Sequence, residues 1–144
     1  MNSDKTILIR AEMLQISQYV QIIKDIASTY PGLSIFKLTT FCYLKKIENG
    51  YYKSIYSNKN SKDLVFKGIS QMTGKYEDFI QNIKYIVKAL DILICNQIIY
   101  SENDLIYSNI QGQSPEPTDF LSRVIKESFL YTDRQFMKEV IHNV

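Results

Sequence analysis

The side chains of this chain that could do chemistry are few, and their spacing does not assemble a reactive centre. His142 is the only histidine, so no histidine-based triad, HExxH helix or Cys/His zinc site can form with the usual spacing. Cys42 and Cys95 fall among apolar neighbours in helical patterns, where an unpaired cysteine serves as a small buried hydrophobe. Neither glycine-rich phosphate fingerprint occurs. Glu77/Asp78 and Glu102/Asp104 are paired carboxylates, but they stand at a helix start and in a turn, where capping and solvation account for them. The residues therefore point away from an enzyme, and no cofactor, metal or small-molecule substrate is expected.

Binding chemistry is better represented. The net charge of +2 is unevenly spread: residues 1–36 are neutral overall, residues 37–88 carry ten lysines against four acids, and residues 89–144 carry four basic against eight acidic side chains. A cationic middle attracts phosphate or an acidic partner over about a Debye length, ~8 Å. The candidate contact residues are Lys37, Lys45 and Lys46 on one side of a helix, then Tyr51, Tyr52, Lys53, Tyr56, Lys59 and Lys62 in the stretch after it. Tyrosines interleaved with lysines can stack on bases while the ammonium groups meet phosphate. Such rings can equally cover the edge of a core with their hydroxyls in water.

The elements that must position these groups are mostly helical, since only five Gly and three Pro interrupt the chain. Leu14, Ile16, Tyr19, Ile22, Ile23 and Ile26 mark one side of a helix running from Glu12 to the stop at Tyr30-Pro31-Gly32. Before it, Thr6–Ile9 fits either a strand or a first helical turn. Ser34 caps a second helix with Phe36, Thr40, Phe41, Leu44 and Ile47 inward, ended by Asn49-Gly50. Leu64, Val65, Ile69 and Met72 belong to a third, which Thr73-Gly74 separates from the longest periodic run. There Ile80, Ile83, Val87, Leu90 and Ile94, widened by Ile86 and Leu93, predict an amphipathic helix that buries this stripe. Asn96-Gln97 closes it, and Ile98–Tyr100 and Leu105–Tyr107 flank the turn Ser101–Asp104 as a hairpin.

Helix, tight turn, helix and hairpin over residues 61–107 form the second half of a winged helix. Glu77 and Asp78 at the start of its second helix would repel the phosphates that a recognition helix must approach, so the shape favours protein docking. Residues 108–117 read as a linker. Beyond it Thr118 caps a helix over Asp119–Leu130 with Phe120, Leu121, Val124, Ile125 and Phe129 apolar. A Thr132/Gln135 capping box opens the last helix, with Phe136, Met137, Val140 and Ile141 in a seam. Phe120, Leu121, Val124, Phe136 and Val140 are the candidate docking residues, on a hairpin that is either the domain's own lid or an arm for another subunit. The expected fold is mainly α with a small β-hairpin: a winged-helix-like domain over 1–107, a linker, and a C-terminal helical docking segment over 118–144.

Pro31–Leu38 opening a helix, Ala89–Ile94 running into Ile98–Tyr100, and the Glu102–Tyr107 hairpin together resemble the small middle components of bacterial three-component ABC ATPase systems. These belong with the Lamassu-type anti-phage defence operons. The resemblance spans residues 31–107, with Asn96-Gln97 where those proteins often have a glycine. It implies a non-enzymatic adaptor that bridges an SMC-like ABC ATPase and an effector, often a nuclease, and that can meet DNA within the complex. The residues alone leave room for a stand-alone winged-helix regulator binding duplex DNA as a dimer, or for the partner of a small toxin. No run of about 18 apolar residues and no signal-like apolar block occurs, so a cytoplasmic protein without membrane contact is expected.

Overall fold

The computed structural model describes residues 2–48, 64–110 and 119–143. Among these the chain runs α1 (Asn2–Thr29), β1 (Leu33–Ser34), α2 (Ile35–Ile47), α3 (Leu64–Ser70), α4 (Tyr76–Cys95), β2 (Ile99–Glu102), β3 (Leu105–Ser108), α5 (Phe120–Ser128) and α6 (Asp133–Asn143). The protein is mainly α with a small antiparallel sheet of strand order β1-β3-β2. A helix, a short strand, further helices and then a hairpin that pairs back onto that strand is a winged-helix-like order.

Thr6–Ile9 is helical, inside α1. The helix ends where Tyr30 N–H donates to Ile26 O at 2.8 Å, and Gly32 N–H then reaches Ile106 O at 2.9 Å. Gly32 has φ +91°, a left-handed setting that costs glycine little. This turn lays Leu33 and Ser34 beside Ile106 and Leu105. A strand of two residues has no period to read, so periodicity does not predict it.

The centre of the molecule is α2. Ser34 Oγ accepts from Lys37 N at 3.2 Å and caps it as expected. Lys37, Leu38 and Thr40 to Leu44 are all buried, because α1 and α4 pack on this helix and so do α5 and α6. The helix is enclosed over most of its surface, and Lys37 falls on the part beneath the end of α5, whereas Lys45 faces solvent. That corrects the placing of Lys37 on an exposed side.

The long helix α4 buries a different stripe from the one its branched residues suggest. Phe79, Asn82, Ile86, Ala89, Leu90 and Leu93 are buried, while Ile80, Val87 and Ile94 are exposed. Both sets repeat at helical spacing. Asn82 and Ala89 weaken the apolar signal of the set that the core selects, so the more hydrophobic neighbour was favoured. Cys95, on the outer part of the last turn, is exposed, whereas Cys42 is buried; the expectation of burial holds for one cysteine only.

The helix closes without glycine. Ile98 N–H donates to Leu93 O and Gln97 N–H to Ile94 O, at 2.9 and 3.0 Å. Gln97 takes φ +59°, the left-handed position of a Schellman cap. The hairpin turn is tighter than four residues. Asn103 and Asp104 have φ +55° and +64°, as a two-residue type I′ turn requires, and Ser101 and Glu102 already pair with Ile106 and Leu105.

The C-terminal helices belong to the same core. Asp119 caps α5, its Oδ1 accepting from Ser122 N at 2.7 Å; Thr118, expected in that role, lies outside the described residues. The capping box of α6 forms as expected: Thr132 N donates to Gln135 Oε1 at 2.8 Å and Gln135 N to Thr132 Oγ1 at 3.2 Å. Phe136 sets its ring edge-on to Phe36 and Phe41, with centroids 5.9 and 5.3 Å apart. α5 lies so close to α3 that a Cβ on Gly68 would stand 2.7 Å from Val124 Cγ1. Phe120, Leu121, Val124, Phe136 and Val140 are all buried. They are core residues rather than docking residues, because α2 and α3 supply the apolar surface that a free arm would have to find on a partner.

Candidate functional site

Of the basic residues predicted to meet a partner, three lie among the described residues, and each is engaged within the chain. Lys37 Nζ donates to Ser128 O at 2.9 Å and to Tyr131 O at 2.6 Å. It adds a second donor to Ser128 O, on the last residue of α5, which also accepts from Tyr131 N at 3.0 Å, and it supplies a donor to Tyr131 O in the turn before α6. Burial pushes its pKa below the usual lysine value, with Asp133 acting the other way. Lys45 pairs with Glu48 at 3.1 Å. Lys46 Nζ donates to Asn82 Oδ1 at 3.1 Å and stands 4.7 Å above the centre of the Tyr19 ring. Tyr51, Tyr52, Lys53, Tyr56, Lys59 and Lys62 lie outside the described residues.

Lys46 belongs to a polar cluster that joins α1, α2 and α4. Tyr19 OH donates to Asn82 Oδ1 at 2.8 Å, and Tyr43 OH donates to Asp78 Oδ2 at 2.6 Å. Asn82 Nδ2 donates to Asp78 O at 2.7 Å. Burial, then the nearby Cys42, Tyr43 and Asp78, push the Tyr19 pKa well above its ordinary value. Burial and then the hydrogen bond to Asp78 raise that of Tyr43. Burial lowers that of Lys46, with Asp78 opposing. Both phenols therefore stay protonated at neutral pH and act as donors, so the cluster fastens α1, α2 and α4 together. Asp78, read from sequence as a residue of a helix start, and Asn82 one turn after it are its hub. Their spacing of one turn inside an apolar pattern was the only available clue.

The cluster underlies a cleft of about 400 Å³ walled by Leu8, Ala11, Glu12 and Gln15 of α1, Lys46 and Ile47 of α2, and Asp78, Gln81, Asn82 and Tyr85 of α4. Beyond this cleft α1 continues with little to cover it. Ile7, Leu8, Ile9, Met13 and Leu14 are each between 57 and 64% exposed. At 100° per residue, Ile7, Leu8 and Ile9 point to three different sides of the helix. A helix segment that is apolar all round belongs in a protein interior, and exposed apolar surface of this extent marks interaction sites. Fewer large apolar side chains are exposed on the C-terminal hairpin, where Leu130 and Ile141 stand 78 and 67% in water and Met137 40%.

No family model, curated protein or solved structure matches the chain. Among the described residues there is no group of three or more His, Cys, Asp or Glu able to hold a metal ion, and no helix is long and apolar enough to cross a membrane.

Proposed function

We propose that this protein is a non-catalytic adaptor of the cytoplasm that docks on a larger partner through the first turns of α1. The exposure of five large apolar side chains between Ile7 and Leu14 carries this reading. The buried Gln15 Oε1 supports it: this acceptor at the cleft wall has no hydrogen-bond partner, and a docked chain could supply the donor. The middle-component resemblance supplies the partner class, an SMC-like ABC ATPase bridged to an effector, with any DNA contact made through the complex. A coiled-coil ATPase arm offers the helical surface that an apolar helix end fits. As a stand-alone regulator, by contrast, the chain would have to bring Glu77 and Asp78 up to phosphates, and two of its α2 lysines are tied to internal acceptors.

Affinity purification from cells that carry the neighbouring genes tests the proposal. The wild-type chain is expected to bring down an SMC-like ATPase, and Met13→Asp combined with Leu14→Asp is expected to lose it at unchanged thermal stability. Equal recovery with both chains, or no such ATPase with either, would overturn the reading. Salt-dependent binding of duplex DNA by the purified chain alone would favour the regulator instead.

A further inference from the structure

The outer stripe of α4 carries an inference independent of the α1 docking reading. Tyr76, Ile80, Ile83, Val87, Leu90 and Ile94 advance by alternate steps of four and three, an unbroken heptad seam. Tyr76, Ile80, Val87 and Ile94 are 54, 46, 54 and 42% exposed, while Leu90 is buried at its inner edge. The fold uses only the inner edge of this seam: Leu90 joins Phe79, Asn82, Ile86, Ala89 and Leu93 in the core and Ile83 packs against it, while Tyr76, Ile80, Val87 and Ile94 stay in water. A repeat of 3.5 residues keeps facing its occupant along its whole length only when that occupant is another helix.

The charges beside the seam select which helix. Glu77, Lys84 and Asp91 follow its solvent edge at seven-residue intervals with alternating sign. In an antiparallel pair this edge meets its own copy. A two-fold axis between Ile80 and Ile83 sets Glu77 opposite Lys84 of the second copy, and the symmetry makes that pairing twice. The same register lays Tyr76 on Val87 and Ile80 on Ile83, covering the three most exposed members of the seam. A parallel pair would turn the charged edge toward the Phe79 and Ile86 side, which each copy's own core occupies. We propose that α4 is a self-association surface on which two copies of this chain pair antiparallel through Tyr76, Ile80, Ile83 and Val87, with Glu77 and Lys84 setting the register.

Sedimentation equilibrium of the purified full chain provides the test, with circular dichroism as the check on folding. A dimer is expected that dissociates in the micromolar range, as a small interface implies. Val87→Glu should weaken it by roughly tenfold or more, as a central interface residue does, and leave the folded spectrum intact because the side chain is exposed. Lys84→Glu should weaken it too, and adding Glu77→Lys should restore it. The α1 variant Met13→Asp should leave the dimer unchanged, so the two proposals can fail separately. A chain that stays monomeric at about 100 μM would overturn the inference and leave the seam to a foreign helix. A dimer indifferent to both Val87→Glu and Ile80→Glu, or one that the charge swap fails to restore, would overturn it as well.

Discussion

The two halves of α1 share one helical backbone and are both rich in apolar side chains, yet their surroundings are opposite. Tyr19, Ile23, Ile26 and Ala27 are buried, while Ile7, Leu8, Ile9, Met13 and Leu14 are mostly in water. The second half lies against α2, α4 and β3, and the first reaches past most of what could cover it. The reach of neighbouring elements, rather than apolar content, decides which residues become core. The lysines of α2 repeat the lesson: Lys37 lies under the end of α5, and Lys45 looks outward.

Truncation of Ile23 to Ala should produce the largest effect, about 2–5 kcal/mol lost in urea unfolding, as for other buried aliphatic side chains. Leu14→Ala should stay within about 0.5 kcal/mol of wild type. Equal losses at both positions would erase the contrast. Lys37→Ala should cost roughly 1–3 kcal/mol, since it takes the ammonium donor from Tyr131 O and leaves Ser128 O with the Tyr131 N–H alone, against about 0–1 kcal/mol for Lys45→Ala at its partly exposed ion pair. A smaller, pH-dependent effect follows from the buried cluster. The pKa values of Tyr19, Tyr43 and Cys42 are raised in the folded protein, in each case chiefly by burial. Their contribution is fully present below their ordinary values of 10.0, 10.0 and 9.0 and is lost as pH rises beyond these. Lys37 and Lys46 act in the opposite sense, because a lowered lysine pKa penalises the fold least at high pH. Thermal melts between pH 7 and 11 should show a net fall above about pH 9, with a shallower slope in Tyr19→Phe.

Much of the fold was legible in the sequence. Ser34 as a cap, the inward set Leu64, Val65, Ile69 and Met72, the hairpin after Asn96-Gln97 and the Thr132/Gln135 box all rest on local rules that neighbouring residues satisfy by themselves. What the sequence did not show is non-local. Which of two equally periodic faces of α4 is buried depends on α1 and α2, and the burial of Lys37 depends on carbonyls 91 and 94 positions away. The surface carrying the proposed function was misread for a local reason. Leu14 stands nine residues before Ile23, half a turn round the helix at 100° per residue, and so faces away from the side that Tyr19, Ile23 and Ile26 bury.

The bond from Lys37 to the end of α5 also has a consequence in time. Its acceptors, on Ser128 and Tyr131, leave the ribosome 91 and 94 residues after it does. Until they emerge, a central helix must keep its ammonium hydrated instead of enclosed, so native packing of α2 waits on synthesis of the chain through Tyr131.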